Sequence, residues 1–393
     1  MKSDAIAAAV AVPARDEASC LLPCLEALAR QRSGHGQPVD PARFAVLVLA
    51  NNCGDGTARV AREAAPGLPF RLVVAEAVLP PGLAHAGGAR RAAMDAAAAM
   101  LEDDRAALLS TDADSRAAPD WLAANLAALA AGADAVAGAI EPDRAQFAAL
   151  PPALRAREES EAAYAALLDE MAWLIDPDPH DPWPRHGIHS GASMALTVGA
   201  YRRIGGLPAV PVGEDRALFD AVRRAGMLVR HCPAARVSVS CRLDGRAAGG
   251  MADTLLRRRT DAAAPTDPRL EAAFDAFWRF RCRRVFRRVQ GGGARPGDLL
   301  RLSFAARLPP RLVARIGRAP EFWTGWNALE VASPALARRP VAASALAREA
   351  EKAEAILRAV RGASSVASTL ASRLPGRRPA SGRGGTAPGV PAA

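Results

Sequence analysis

The 393-residue sequence predicts an α/β protein with a mostly parallel, doubly wound sheet, followed by a basic α-helical region. Three observations predict this fold class. Short apolar runs without alternation recur through the first 250 residues, as expected of strands that are buried on both faces. Amphipathic helical patterns lie between these runs, with short connections. Beyond about residue 250 the strand pattern stops, and arginine-rich helical segments follow.

The elements of the first part follow one another in a regular order. Because they are short, apolar and free of alternation, five segments are predicted as strands: 5–13, 43–50, 70–77, 106–111 and 134–140. Amphipathic patterns between them predict four helices: 17–32, 56–65, 87–101 and 119–131. The regularity then breaks, and the sequence predicts a helix at 151–175, a Pro-rich loop at 176–187, a strand at 188–197, a helix at 215–225, and strands near 227–231 and 235–241.

Composition divides the chain into three parts. We predict a sheet domain over residues 1–250, an Arg-rich helical extension over 251–373 and a disordered tail over 374–393. Residues 251–393 hold 26 of the 51 basic residues but only 11 of the 41 acidic ones, so the first 250 residues are acidic overall. An acidic first part suits a divalent cation, and a basic second part suits an anionic surface.

The six cysteines have no zinc-binding spacing and are interpreted as small buried residues in a reducing compartment. The N-terminal stretch "MKSDAIAAAVAVPARDE" has the pattern of a strand rather than of a signal peptide, and no uncharged stretch is long enough to span a bilayer. We therefore predict a cytoplasmic protein that reaches, at most, the surface of the inner membrane. The preference for arginine over lysine is typical of a GC-rich bacterial genome.

Polar motifs follow the predicted strands at their carboxyl ends. The first strand leads into Pro13–Glu17, the second into Asn51–Thr57, the third into Gly87–Arg91 and the fourth into Asp112–Asp114. Because ligands of open parallel sheets bind at this edge, the motifs predict a ligand site. A structural interpretation of the first two stays open, since their acids also favour helix N-termini, turns and caps.

The motif Asp112-Ala-Asp114 predicts a divalent cation site. Two carboxylates at this spacing can share Mg²⁺ or Mn²⁺, ions that keep part of their coordination shell for substrate phosphates. A solvated acidic turn is the structural alternative. An aspartyl-phosphate phosphatase would need a downstream lysine, but the chain has lysine only at Lys2 and Lys352.

Glu214 and Asp215 begin a predicted helix after Gly213. A carboxylate at a helix N-terminus is stabilised in its charged form, which suits Asp215 to act as a general base. Capping of the helix explains the same residues without catalysis.

Taken in order, six motifs resemble glycosyltransferase family 2, whose members are inverting enzymes of the Rossmann-like GT-A fold. They are "VPARDE", "NNCGDGT", "GGARRAAMDAA", "TDADS", "SGASMALTVGAYRRIGG" and "GEDRALFDAVRRAG". The resemblance covers about residues 5–245. It implies a metal-dependent enzyme that moves a sugar from a nucleotide-diphosphate sugar to an acceptor hydroxyl.

The resemblance also implies where the nucleotide would bind. Pro13, Glu17 and the loop from Asn51 to Asp55 would line the pocket for the base and ribose, and Arg90 or Arg91 would lie close to the nucleotide. Family members often carry two acids where this chain has Ala50 and Asn51. Asn51 can still bind a base edge, but the identity of the base stays open.

The chemical roles are implied in the same way. Asp112 would contact the ribose side, and Asp114 would bind the metal that bridges the diphosphate. Two further candidate ligands of that metal come from the residues themselves: Asp112 from its spacing to Asp114, and His231 from its place at the end of a predicted strand, although polar roles also fit the scattered histidines. Asp215 would be the catalytic base, with Glu214 beside the acceptor or the base.

Two later segments remain to be assigned. Residues 240–250 have the composition of a mobile loop in which Arg242 and Arg246 close on the diphosphate, although ordinary surface arginines fit the sequence equally. The segment "FWRFRCRRVFRRV" interleaves aromatic residues with arginines. It predicts contact of residues 254–318 with an anionic membrane, or packing of an apolar face on the first domain. No nucleic-acid-binding motif is found, and nucleic acid is not predicted as a partner.

We therefore predict an inverting glycosyltransferase that takes part in making envelope glycans. Its acceptor would be a glycan, a lipid or a small molecule. The alternative is a catalytically inactive nucleotide-sugar-binding protein, or a scaffold recruited to a surface by its basic region.

Overall fold

The structure is a computed structural model that describes residues 6–245 and 249–373, with side chains up to residue 362. Arg246 and the predicted tail at 374–393 lie outside the described residues.

One sheet of eight strands organises the first part of the chain. The strands are β1 (Ala8–Ala14), β2 (Phe44–Asn51), β3 (Arg71–Ala77), β4 (Ala107–Ser110), β5 (Arg116–Ala117), β6 (Ala135–Pro142), β7 (Met194–Thr197) and β8 (Val229–Val239). Their order is β3-β2-β1-β4-β7-β6-β8-β5. Only β7 and β5 pair antiparallel with their neighbours, so six strands share one direction. The predicted mixed, mostly parallel α/β sheet is confirmed.

Fourteen α-helices are found in the described part of the chain. They are α1 (Leu21–Ala29), α2 (Thr57–Ala64), α3 (Ala86–Ala98), α4 (Trp121–Ala130), α5 (Arg144–Ala149), α6 (Pro152–Ile175), α7 (Val198–Arg203), α8 (Glu214–Arg224), α9 (Met251–Thr260), α10 (Ala273–Gln290), α11 (Asp298–Ala306), α12 (Pro310–Ile316), α13 (Phe322–Ala332) and α14 (Leu346–Arg373). Helices α1 and α4 cover one face of the sheet, and α3, α7 and α8 cover the other.

The continuous apolar runs become strands because both of their faces are covered. All eight residues of β2 are buried, which explains why its sequence lacks alternation. The two strands predicted near 227–231 and 235–241 form the single strand β8, whose register shifts opposite Gly138 and Ala139. Pro233 lies in this irregular part, where the missing N–H of proline does not interrupt a regular ladder.

The C-terminal part is helical, as predicted, and packs against the sheet domain. Helix α10 lies on α6, and buried Phe280 and Tyr164 belong to one apolar cluster between them. Asp176, at the end of α6, accepts hydrogen bonds from Arg283 at 2.6 Å and from Arg287 at 3.0 Å. The predicted domain boundary near residue 250 stays a prediction.

The length and apolarity of a helix decide whether it can span a membrane. Among the described residues, every helix is too short or too polar to cross a bilayer.

Candidate functional site

The two acids that follow β4 are each paired with an arginine. Asp112 Oδ1 accepts a hydrogen bond from Arg90 Nη2 at 2.6 Å. Asp114 Oδ2 lies 3.1 Å from Arg242 Nη2. The repulsion between these neighbouring carboxylates is therefore offset by two separate guanidinium groups. Both acids lie at the carboxyl edge of the sheet, where the sequence predicts a ligand site.

Arg90 joins four segments of the chain beneath this edge. Its Nη1 donates to Ser110 Oγ at 3.0 Å and to the carbonyl oxygen of Gly191 at 2.9 Å, and its Nε donates to Glu214 Oε1 at 3.1 Å. Burial opposes its charge, but Asp112 and Glu214 raise its pKa above the ordinary value. Arg90 is only 6% exposed, and all three of its guanidinium nitrogens donate hydrogen bonds. It therefore connects α3, the end of β4, the loop at Gly191 and α8 in the interior of the protein.

Glycine is required where Arg90 meets the loop before β7. A Cβ atom on Gly191 would lie 2.4 Å from the guanidinium carbon of Arg90. The beginnings of α3 and α8 also approach closely, since a Cβ on Gly87 would lie 2.0 Å from the carbonyl oxygen of Val210 and 3.1 Å from Glu214 Cβ. The glycines of two motifs therefore let these backbones come together.

Helix α8 presents Glu214 and Asp215 in its first turn, after Gly213 in the left-handed conformation. Glu214 is buried against Arg90, whereas Asp215 is partly exposed and accepts the backbone N–H of Arg216 at 2.6 Å. Burial and the nearby Glu214 raise the pKa of Asp215 above its ordinary value. Asp215 therefore holds a proton more tightly than a solvated aspartate does.

Arg242 connects the segment after β8 to the end of β1. Its guanidinium binds both carboxylate oxygens of Glu17, with Nη1 2.8 Å from Oε2, and also contacts Asp114. The hydrogen bonds to Glu17 raise the pKa of Arg242. Glu17 is fixed in turn, because its backbone N–H donates to Thr57 Oγ1 at 2.9 Å.

The carboxyl group of Asp114 is the strongest candidate cation ligand. Burial and the adjacent Asp112 raise its pKa to about 6, Arg242 opposes this rise, and Glu17 adds to it. Its negative charge is thus only partly compensated by the protein. Such a carboxylate fits a hard divalent cation that takes one or two protein oxygens.

A second acidic group lies at the ends of β1 and β2. Asp16, Cys53 and Asp55 are the one set of three ligand atoms within 4.8 Å of one another in the described part of the chain. Their oxygens already accept backbone N–H groups: Asp16 Oδ1 from Gly54 at 2.7 Å, and Asp55 Oδ1 from Thr57 at 2.8 Å. These contacts agree with the turn-and-cap interpretation.

Three other candidate residues are placed by their own contacts. Asn51 is buried and donates from Nδ2 to the carbonyl oxygen of Ala14 at 2.9 Å, which ties β2 to β1. Pro13 lies within β1. Arg91 donates to the carbonyl oxygens of Gly205 and Leu207, both at 3.0 Å, so its guanidinium binds the turn before α8 and not the acids after β4.

His231 is the candidate ligand that the structure does not bring to the other acids. Its Nδ1 pairs with Asp181 Oδ2 at 2.7 Å, and its Nε2 lies 3.1 Å from His189 Nε2 and 3.2 Å from Arg223 Nη2. Burial lowers the pKa of His231 and of His189 well below the ordinary value. Both ring nitrogens are therefore engaged inside a buried cluster.

Asp181 organises this cluster, and sequence reasoning missed it. It lies in the Pro-rich loop, where a charged residue is expected to be exposed to solvent. Asp181 is instead buried, and it also pairs with Arg185 and Arg230. The "HDPWPRH" string around it contains the only local signal, an acid flanked by histidines.

Comparison with known proteins gives a family match and a set of similar solved structures. Residues 7–258 match the family described as "Glycosyltransferase like family 2". A mannosyltransferase from Pyrobaculum calidifontis, PcManGT, in complex with GDP-Man and Mn²⁺, is 17% identical; the alignment covers 94% of this chain and 81% of that one, with a TM-score of 0.45. S. aureus TarS 1-349 in complex with UDP-GlcNAc is 14% identical over 83% of this chain and 91% of that one, with a TM-score of 0.44. No curated protein sequence is significantly similar.

Proposed function

Since the chain belongs to glycosyltransferase family 2 and is therefore a glycosyltransferase, we propose that it is an inverting, metal-dependent enzyme acting on a nucleotide-diphosphate sugar. The observation that carries the proposal is a pair of neighbouring ion-pair networks, with four acids and two arginines in all, at the carboxyl edge of the sheet. Arg90 joins Asp112 to Glu214, beside Asp215, and Arg242 joins Asp114 to Glu17.

Asp215 is the proposed general base. Inversion needs one base that deprotonates the acceptor hydroxyl while this hydroxyl attacks the anomeric carbon from the side opposite the leaving diphosphate. The raised pKa of Asp215 supports the role, because a more basic carboxylate removes a proton more readily. Arg90 fixes the neighbouring Glu214, which positions the first turn of α8 without neutralising Asp215 directly.

Asp114 is the proposed ligand of Mg²⁺ or Mn²⁺, with Asp112 beside it. When bound, the ion would supply positive charge to the departing diphosphate. Support comes from the raised pKa of Asp114, whose charge Arg242 compensates only in part. The engaged nitrogens of His231 give no support to it as a further ligand.

The donor side would be formed by the remaining motif residues. Pro13, Asn51 and Asp55 stand at the ends of β1 and β2, next to Glu17, and would line the base and ribose. Arg242 would exchange its contact with Glu17 and Asp114 for the diphosphate. Arg246 is proposed to join it on the sequence pattern alone. Arg90 would act on the nucleotide through Asp112, which it orients.

A glycan, a lipid or a small molecule could supply the attacking hydroxyl, and an envelope glycan of a bacterium suits the basic region at 254–318, which would face an anionic membrane. The six cysteines are free, in agreement with a reducing, cytoplasmic compartment. No observation in the described residues favours an inactive scaffold.

Calorimetric titration of UDP and GDP, each with and without Mn²⁺, tests the proposal. Wild-type protein should bind one of the two nucleotides only with the metal, and Asp114→Asn should lose that binding. Asp120→Asn, an exposed acid before α4, is the matched control and should bind normally. Binding of neither nucleotide in the presence of Mn²⁺ would overturn the proposed function.

A second measurement separates the base from the metal site. Asp215→Asn should bind the nucleotide as the wild type does, yet hydrolyse or transfer the donor sugar at least about a hundredfold more slowly. Nuclear magnetic resonance of the first-formed product reports the anomeric configuration. A product with the configuration of the donor would exclude inversion.

A further inference from the structure

Helices α10 and α11 expose four large apolar side chains on one side of the C-terminal region. Phe274 is 64% exposed, Trp278 43%, Leu300 63% and Phe304 88%. On each helix the two residues are four apart and therefore share a face. We name these four residues the α10–α11 surface. Clusters of exposed side chains of this size are uncommon on soluble proteins unless something binds them.

The two helices form one continuous apolar surface. Trp278, Leu300 and Phe304 line the same groove, together with Pro309 and Pro310, and its volume is about 750 Å³. The opposite side of α10 is already used, since Phe280 and Phe286 are buried in the apolar clusters of the C-terminal region. Packing within the protein therefore explains Phe277, Phe280 and Phe286, three of the five aromatic residues of α10, and leaves Phe274 and Trp278 exposed.

Positive charge surrounds the α10–α11 surface. Residues 273–316 contain eleven arginines and two aspartates. Four of these arginines are buried or half-buried and paired with acids, and the other seven are exposed. One of these aspartates, Asp298, is buried and paired with Arg288, so Asp275 is the only exposed acid of the segment. Arg281 lies 6.0 Å from the ring centre of Trp278, and the side chain of Arg301 is 74% exposed. The surface thus has an apolar centre and a cationic rim.

We propose that the α10–α11 surface docks on an anionic lipid bilayer. The four apolar side chains would enter the boundary between headgroups and acyl chains, and the rim arginines would bind lipid phosphates. The inference rests on the proposed function, which supplies the expectation of a membrane, and deepens it by naming the residues that make the contact. It does not require a transmembrane helix, in agreement with the described part of the chain.

Two other occupants fit the charge or the shape less well. A second copy of the chain would bring the same surface to itself in a symmetric dimer, so two arginine rims would face each other and repel. A nucleic acid would satisfy the arginines, but it would leave Leu300 and the protruding Phe304 without apolar partners. A bilayer satisfies both parts of the surface.

Co-sedimentation with vesicles tests the proposal on the full chain. Wild-type protein should bind vesicles of phosphatidylcholine with 30% phosphatidylglycerol, should bind pure phosphatidylcholine at least about tenfold more weakly, and should be released by salt. The double variant Leu300→Asp/Phe304→Asp should bind anionic vesicles at least about tenfold more weakly, because two apolar anchors are replaced by charges that lipid phosphates repel. Arg301→Gln should weaken binding about fivefold on anionic vesicles alone.

The controls identify the occupant and the cause. Val331→Asp changes a residue of α13 that is 89% exposed outside the α10–α11 surface, and it should bind vesicles normally. The double variant and Val331→Asp should both unfold at the wild-type temperature, because the changed side chains are exposed. No binding to anionic vesicles, or equal binding by the double variant, would overturn the proposal. A dimer that the double variant dissociates would assign the surface to a second copy instead.

The same proteins distinguish this inference from the proposed function. Nucleotide binding, measured by calorimetry, should be unchanged in the double variant, since its substitutions lie on α11 and not at the sheet edge. Vesicle binding without any nucleotide binding would sustain the docking surface while removing the enzyme mechanism. Nucleotide binding without vesicle binding would sustain the proposed enzyme function and overturn the docking surface.

Discussion

Arg90 should be the single side chain whose loss most damages both stability and the site. The Arg90→Met variant keeps much of the side-chain length but removes the hydrogen bonds to Ser110, Gly191, Asp112 and Glu214. The side chains of Arg90 and Glu214 are only 7% and 10% exposed, so Glu214 would be left as a buried charge without its partner. Breaking a buried ion pair in this way costs about 3–5 kcal/mol.

That loss is large beside the stability of an ordinary protein, which is about 5–15 kcal/mol. Urea unfolding followed by circular dichroism measures it directly. The neighbouring Arg91→Met is the matched control: Arg91 is more exposed and binds two carbonyl oxygens of a turn, so its loss should cost about 1 kcal/mol. A change below 1 kcal/mol in Arg90→Met, or equal changes in both variants, would refute the reasoning.

A double-mutant cycle tests the cause of the loss. If the cost comes from the unpaired charge of Glu214, then Glu214→Gln should recover part of it in the Arg90→Met background, since a neutral amide is less costly to bury than a carboxylate. Additive effects of the two substitutions would show that the ion pair is not the source. In that case the packing of α3 against the loop at Gly191 would be.

Three other sites should respond to pH or to one substitution. Burial lowers the pKa of His186 to about 4, so the unfolded chain takes up a proton that the folded chain does not, and the free energy of unfolding should fall by up to about 3 kcal/mol as the pH drops from 6.5 to 4; His186→Gln should reduce that fall in acid denaturation. Gly87→Ala should cost about 1–3 kcal/mol in thermal unfolding, because its Cβ meets a carbonyl oxygen at 2.0 Å. Arg242→Gln should bind Mn²⁺ about fivefold more tightly at pH 8 without nucleotide, measured by calorimetry, since a cation next to Asp114 is removed.

Each of these has a control within the same chain. His180→Gln alters an exposed histidine and should leave the acid denaturation as it is. Gly34→Ala adds a Cβ that meets no atom within 4 Å and should not destabilise the protein. Arg242→Lys keeps a positive charge near Asp114 and should keep Mn²⁺ binding weak. Equal behaviour of a variant and its control would contradict the corresponding prediction.

The sheet could be predicted because its signal is local. In β2 and β4 a short run of apolar residues is enough to indicate a strand that is buried on both faces. The short strand β5 escaped prediction, since two residues carry no periodicity and owe their pairing to β8. The predicted strand at 188–197 begins only at Met194, because the preceding residues form the loop that places Gly191 on Arg90.

The site was less predictable, since its decisive contacts are distant in sequence. The motifs locate the acids of the sheet edge, but nothing local indicates that Arg90 binds Glu214, 124 positions away, or that Arg242 binds Glu17. His231 has the position of a ligand at a strand end, yet its partner Asp181 lies in a loop whose proline content predicts exposure. A residue's type and place suggest its chemistry; its partners decide whether that chemistry is available.

The packing of the C-terminal helices on α8 has a consequence for how this enzyme can be divided. Trp323 lies 4.8 Å from the guanidinium of the half-buried Arg223, near the C-terminal end of α8, and Asp176 is paired with Arg283 and Arg287. A chain cut after residue 258, where the family match ends, would leave Arg223 and Asp176 without these partners and would expose the side of α8 that packs on α13. The two parts are thus not interchangeable modules. Exchanging the C-terminal helices with those of a relative would require new contacts between those helices and α6 and α8.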